Sequence, residues 1–419
     1  MADATTPVKH AQVSALELLQ TWQDSPAAGR LLDVRSLDCY CQRRLQGAVS
    51  VPLSELSERW SELPSKQTAF ALMLPGPGVS RVIELAKAEA AADDKTAAWQ
   101  EQPCVDTILQ QLRLRGWMPS HLFYDHSDET GLDALWEAAG ELGLLVEAPP
   151  SSPAPFLFSP SPFLEEQAPR IEAALHAMYA AKEDSDSDAN TGTRRFSMCD
   201  IGCGSGRDVA WMLTRTLPES NGGWSACAVD NWRGALGRTG QLLASRAFGP
   251  DRARLARASF QSSGQIRYYA IPHAAGGTGE DTARAEMVDA LLVHSKTEAQ
   301  QLLVVQQYDL VTVVRFLERA AFPLLDRLVR PGGFLLYSTF VDGVCTYEQP
   351  ASGEHRLALG ELAAYFGPSR GYTVLEDGLV WTEDGRPLSA FLARKAASAS
   401  SASVSIITKL ATSPPPQST

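Results

Sequence analysis

No stretch of the 419-residue sequence approaches the roughly 18 consecutive apolar residues of a membrane-spanning helix. Basic residues are also in deficit: 37 Lys and Arg stand against 49 Asp and Glu, a formal net charge of −12. A phosphate backbone is held by clustered Lys and Arg, so this balance argues against nucleic acid as the main partner. Cysteines do not pair into a framework. There are seven, an odd number, and they are scattered. Cys39 and Cys41 form only a C-x-C, and Cys199 and Cys203 flank a glycine-rich stretch, so neither pair has zinc-site spacing. No metal is expected, and unpaired thiols fit a reducing compartment. The opening Met1-Ala2-Asp3-Ala4-Thr5 has neither the basic and apolar regions of a secretory signal nor the Arg-rich character of a transit peptide, and a cytoplasmic protein is expected. Internal repeats at solenoid or propeller periods are absent too.

What is present is apolar content of 44% and charged content of 21%, close to globular averages, on a chain long enough for two cores. Composition breaks at Ala148-Pro149-Pro150-Ser151-Ser152-Pro153-Ala154-Pro155, which can neither propagate a helix nor fill a strand ladder. The expected organisation is a first domain over 1–147, a Pro/Ser-rich linker over 148–162, a second domain over 163–395 and a disordered Ala/Ser/Pro-rich tail over 396–419. An acidic break, Glu183-Asp184-Ser185-Asp186-Ser187-Asp188, falls inside the second domain.

Both domains alternate strands with helices, which implies parallel sheets and an α/β fold class. In the first, a helix over 14–21, strands at 31–34, 49–52 and 70–74, and helices over 105–115 and 131–142 are predicted. In the second, the predicted helices cover 164–181, 208–216, 233–246 and 320–329. The predicted strands cover 196–201, 226–229, 266–271, 310–314 and 334–340. This describes a doubly wound open sheet, which binds ligands beyond the carboxyl ends of its strands.

One segment carries the chemistry: Cys199-Asp200-Ile201-Gly202-Cys203-Gly204-Ser205-Gly206-Arg207-Asp208 leaves an apolar strand and opens a helix. Its glycines let the backbone turn sharply and approach a ligand, and the helix start offers free N–H groups. Asp230, ending the next strand and followed by Asn231, supplies a carboxylate able to accept both ribose hydroxyls of a nucleoside. Glycines at 202, 204 and 206 depart from the G-x-G-x-x-G of dinucleotide-binding folds.

With Asp200-x-Gly202-x-Gly204-x-Gly206, Asp230, and the Arg330-Pro331-Gly332-Gly333 turn before Tyr337-Ser338-Thr339-Phe340, the second domain resembles class I S-adenosylmethionine-dependent methyltransferases. Finer similarity points to their tellurite-resistance and thiopurine-like small-molecule subgroup. It rests on Gly204 to Asp208, Val314-Arg315-Phe316-Leu317-Glu318-Arg319, and Gly360-Glu361-Leu362 with Phe366. The resemblance implies a Rossmann-like fold and S-adenosyl-L-methionine held by Asp200, Gly202, Gly204, Gly206, Asp230 and Asn231. It also implies a small, polarizable acceptor such as a thiol, selenium or tellurium species. Arg315 and Arg319, just past the fourth strand, stand where an anionic acceptor would be positioned, or else on a solvated helix start. Cys203 reads as a small residue packed under the loop, Tyr337 as core, and His294 and His355 as ordinary loop histidines.

Leu31-Leu32-Asp33-Val34-Arg35, Tyr40 and Gly47-Ala48-Val49-Ser50-Val51-Pro52-Leu53 resemble the opening half of a rhodanese domain. That chemistry needs a cysteine in a loop of N–H donors. Here Pro75-Gly76-Pro77-Gly78-Val79-Ser80 follows the strand, and Cys104 comes much later. The first domain is therefore expected to be catalytically inactive and to dock a protein partner. Two other readings remain: a methyltransferase acting on RNA or protein with this module recruiting the substrate, and a non-enzymatic sulfur-carrier or scaffold protein.

Overall fold

The computed structural model describes residues 14–76, 105–125, 134–148, 155–183, 194–215, 221–261, 263–273, 282–351 and 353–397. The chain divides into two compact units, Met1–Ser159 and Pro160–Thr419. The first builds its core on a parallel sheet and the second on a mixed, mainly parallel one.

In the first unit the helix Ala15–Gln23 starts on a capping box. The Ser14 hydroxyl accepts from the Glu17 amide, and the Glu17 carboxylate accepts from the Ser14 amide. Strands β1 (Leu31–Asp33), β2 (Arg44–Leu45), β3 (Ala48–Ser50), β4 (Ala71–Pro75), β5 (His121–Asp125) and β6 (Leu145–Val146) follow in chain order. Four of them form a parallel sheet in the order β3-β1-β4-β5, while β2 pairs antiparallel with β6. Alternation along β1 and β4 sends side chains to two cores. Leu31, Ala71 and Met73 join Leu19, Trp22 and Trp136 on one face, and Leu32, Leu72 and Leu74 join Ile108 and Leu112 on the other. Sequence had not indicated β5 or the β2–β6 ladder.

At the carboxyl ends of β1 and β5 the Arg35 guanidinium is buried between two carboxylates, 2.6 Å from Asp33 Oδ2 and 2.7 Å from Asp125 Oδ2. The Trp136 indole and Arg43 also donate to Asp125. Two parts of the expected linker over 148–162 have a defined place. Leu157 belongs to the core that contains Leu32 and Leu72, and the helix Pro162–Glu183 already begins the second unit. Residues 149–154, the acidic break from Asp184, the loop from Pro77 to Ser80, Cys104 and the tail beyond 397 lie outside the described residues.

The second unit contains β7 (Arg194–Ile201), β8 (Asn221–Asp230), β9 (Ala253–Phe260), β10 (Ile266–Tyr269), β11 (Tyr308–Val314), β12 (Val329–Ser338), β13 (Tyr372–Trp381) and β14 (Pro387–Lys395). Their order in one sheet is β10-β9-β8-β7-β11-β12-β14-β13. Strands β9, β8, β7, β11 and β12 are parallel, whereas β10 and β14 run against their neighbours. From β7 the chain winds outward through β8 to β9, then returns to the other side of β7 as β11. That reversal opens a crevice beyond the carboxyl ends of β7 and β11, the place where open α/β sheets bind ligands. No described helix is long and apolar enough to cross a membrane.

Candidate functional site

The crevice is floored by the loop between β7 and the helix Arg207–Thr214. Gly202, Gly204 and Gly206 all have positive φ, at 77°, 57° and 74°, but for different physical reasons. A Cβ on Gly202 would stand 2.8 Å from the Phe316 side chain, and one on Gly206 would stand 2.4 Å from Thr239. Both contacts are too close for any side chain. At Gly204 a Cβ would meet nothing within 4 Å, so that backbone faces open space. Gly202 and Gly206 shape the loop, and Gly204 presents it.

Asp230, at the end of β8, reaches across to this loop. One carboxylate oxygen accepts the Gly204 amide at 3.0 Å and the other accepts the Trp232 amide at 2.8 Å. A carboxylate offers about four lone-pair sites, so each oxygen keeps about one for a further donor. Thr239 Oγ donates to the Gly204 carbonyl from the helix Arg233–Ala244, fixing the loop from its other side.

Asp200 is buried beneath the loop. Register pairs it with Thr312 on β11, whose hydroxyl donates to it at 2.8 Å. Burial pushes its carboxyl up to about 8, the charges of Asp208 and Asp230 push the same way, and the Thr312 hydroxyl opposes them. Burial also raises Asp208, opposed by the Ser161 amide and by the charges of Arg315 and Arg207. Three carboxyl groups thus gather around one glycine loop. Desolvation, with the charges of Asp200 and Asp230, pushes the Cys203 thiol up, so it is a thiol and not a nucleophilic thiolate.

The two arginines expected to hold an acceptor part company. Arg315 directly follows β11 in a left-handed conformation, φ 54°, with its amide donating to the Ser338 carbonyl and its side chain exposed. Arg319 is a tie. Its guanidinium forks onto Glu361 at 2.5 and 2.9 Å and donates to the carbonyls of Gly353, Glu354 and Arg356. Its donors are committed to the segment after β12 and are not free for an anion. Asn231 is exposed, with its carbonyl accepting from Arg257. Tyr337 is core, as expected, and donates to the Phe316 carbonyl. His355 is exposed.

Residues that the sequence did not single out complete the site: Phe316 under Gly202, Thr239 and Thr312 at the hydrogen bonds above, and Trp232. Trp232 is 59% exposed beside Asp230, with the Arg238 guanidinium 4.3 Å from its ring centroid. An exposed indole two residues after the acid was the one readable signal among these.

Fold and loop together define an open-sheet α/β protein with a glycine-rich loop at its switch point. The chain belongs to the same family as a Schizosaccharomyces pombe protein described as "Uncharacterized protein UNK4.09", with 31% identity over 374 residues, covering 87% of this chain and 93% of that one. No family model matches the sequence. Among solved structures, TehB from Haemophilus influenzae is similar at 15% identity over 48% of this chain and 58% of its own, with a TM-score of 0.30. The chain thus spans less than two thirds of that structure. Precorrin-6y C5,15-methyltransferase from Geobacter metallireducens is similar at 15% identity over 48% of this chain and 82% of its own, with a TM-score of 0.27. The cyclase SpnF is similar at 10% identity over 52% and 81%, with a TM-score of 0.32.

Proposed function

We propose that the second unit is an S-adenosylmethionine-dependent methyltransferase acting on a small, polarizable nucleophile. The observation that carries this reading is the open backbone at Gly204 beneath the Asp230 carboxylate, at the switch point of the sheet. The residues fit the cofactor. Gly204 leaves room where a Cβ would intrude, and Asp230 keeps lone pairs for two ribose hydroxyls. Trp232 offers an exposed π face to an adenine ring. Asp230 places an acidic group beside a ligand that carries positive charge on its sulfonium and ammonium.

When bound, the sulfonium supplies an already activated methyl group, so the protein's task is to align the acceptor and exclude water. Arg315, exposed just past β11, would position an anionic acceptor. Arg319 acts indirectly, by holding the segment 353–361 in place. The net charge of −12 favours a small acceptor over nucleic acid. The first unit, with no cysteine between Leu74 and Ser80, is read as a rhodanese-like module without sulfur transfer that docks a partner.

The test is calorimetric titration with S-adenosylmethionine, followed by labelled methyl transfer to a panel of thiol, selenium, tellurium, RNA and protein acceptors. Binding with turnover of a small acceptor supports the proposal. Absence of binding ends it, and methylation of RNA or protein alone replaces the acceptor class.

A further inference from the structure

A second cluster of chemically active side chains lies at the far edge of the sheet. β10 is the edge strand there, three strands from β7 and its glycine loop. The chain leaving β10 passes Ile271 and His273. The helix Thr282–Leu291 supplies Asp289, and the turn after it supplies His294. This turn is pinned to the sheet: the Val293 amide donates to the Leu255 carbonyl at 2.9 Å, and the Ile271 amide donates to the Val293 carbonyl at 3.3 Å.

One carboxylate oxygen of Asp289 is shared by two imidazoles, lying 2.7 Å from His273 Nδ1 and 3.5 Å from His294 Nε2. The rings stack with centroids 3.6 Å apart and planes 24° from parallel. Asp289 and His294 are about four-fifths covered, with side-chain exposures of 22% and 21%, while His273 is 72% exposed.

The deciding observation is at His294. Its Nδ1 lies 2.7 Å from the Ile271 carbonyl and its Nε2 lies 2.8 Å from the Asp289 carbonyl. Both neighbours are acceptors, and a neutral imidazole has one N–H to give. With Nδ1–H on Ile271, the Nε2 lone pair points at the carbonyl and carboxylate oxygens of Asp289. Nitrogen and oxygen lone pairs converging in this way form a donor set that a metal ion can use. A backbone carbonyl that fixes the tautomer through the other ring nitrogen is also the usual outer partner of a metal-bound histidine.

We propose that His273, Asp289 and His294 bind one divalent cation of the zinc class. One ligand atom from each residue lies within 4.8 Å of the other two, so small side-chain rotations close the set around an ion. Two imidazole nitrogens and a carboxylate oxygen suit zinc, whereas magnesium and calcium select oxygen donors. The exposed His273 side leaves the fourth position to water. Bound there, the ion clips the exit of β10 to the helix that follows, away from the ligand crevice.

The experiment uses the full chain with ZnCl2, MgCl2 and Co2+. One zinc per chain is expected, with a raised melting temperature and no effect of MgCl2. His273→Ala, which alters an exposed side chain, and Asp289→Asn should each weaken zinc affinity by about tenfold or more. His273→Ala should leave S-adenosylmethionine binding unchanged, so this result is independent of the methyltransferase reading. Co2+ should give d–d bands without thiolate-to-cobalt charge transfer, separating this site from the cysteines. The proposal is overturned by wild-type protein that takes up no zinc, as it would if a proton alone served His294. Zinc affinity equal in wild type and both variants, or a thiolate band, would overturn it as well.

Discussion

The Gly204 amide and the Asp230 carboxylate meet at 3.0 Å, joining the loop after β7 to the end of β8. The residue that would bind a ribose thereby also sets the shape of the loop that would bind the rest of the cofactor. Asp230→Ala should weaken S-adenosylmethionine binding by about 1.5–3 kcal/mol, the range for hydrogen bonds to a charged group. Calorimetry measures it. Wild-type affinity in this variant would refute the assigned role.

The three glycines should respond differently to alanine. Gly204→Ala meets no neighbour but keeps a positive φ, so it should cost about 1–2 kcal/mol of stability from backbone strain. Its effect on cofactor binding should be the larger one. Gly206→Ala drives a Cβ to 2.4 Å from Thr239 and should destabilise further. Urea unfolding beside cofactor titration separates the two behaviours.

Asp200 predicts a pH dependence with a definite sign. Its carboxyl is held near 8 in the folded chain, against an ordinary value of 3.8. Below about pH 4 it is protonated whether folded or unfolded, and its contribution to stability is fully present. As pH rises toward about 8 the unfolded chain binds fewer protons than the folded one, and that contribution is lost. Asp200→Asn removes the loss, so the variant's stability relative to wild type should climb between about pH 4 and 8 and level off above. Unfolding curves across that range test it. A flat difference would show that the carboxyl titrates normally.

Arg315 and Arg319 should separate function from structure. Arg315→Gly relieves a left-handed arginine, so stability should change by less than about 1 kcal/mol, while kcat/KM for an anionic acceptor falls. Arg319→Ala should instead lower the melting temperature and affect all acceptors alike. A selective loss on Arg319→Ala would reverse the assignment.

In the first unit, Arg35→Ala strands Asp33 without its buried counter-charge and leaves Asp125 with Arg43 and Trp136 alone. It should cost about 3–5 kcal/mol in urea denaturation of the full chain. An effect below 1 kcal/mol would mean that water reaches the pair.

The legible part of this molecule is its parallel scaffold and its loop. Apolar runs such as Leu310–Val314 and Phe334–Phe340 mark buried strands by composition alone, and Gly202, Gly204 and Gly206 mark a turn that only glycine can take. Strand β14 was not legible, because Pro387-Leu388-Ser389-Ala390 interrupts the apolar run, although β14 is covered on both faces once paired. Nor could spacing reveal that Arg319 is committed to Glu361, a contact that depends on how the segment after β12 folds back. The exposed guanidinium of Arg315 and the tied one of Arg319 look alike in sequence. Only their neighbours distinguish them.

The insertion of β14 between β12 and β13 bears on how the chain is made. Strand β12 leaves the ribosome with its outer edge unpaired, and the strand that covers it, β14, is the last of the sheet among the described residues. Synthesis at roughly 5–20 residues per second leaves that edge open for several seconds while the chain from 339 to 395 is added. During that interval an unpaired row of amides and carbonyls is exposed to neighbouring nascent chains. Truncations that remove Pro387–Lys395 should therefore accumulate as aggregates and not as a smaller soluble domain, a difference that sedimentation of the expressed fragments would reveal.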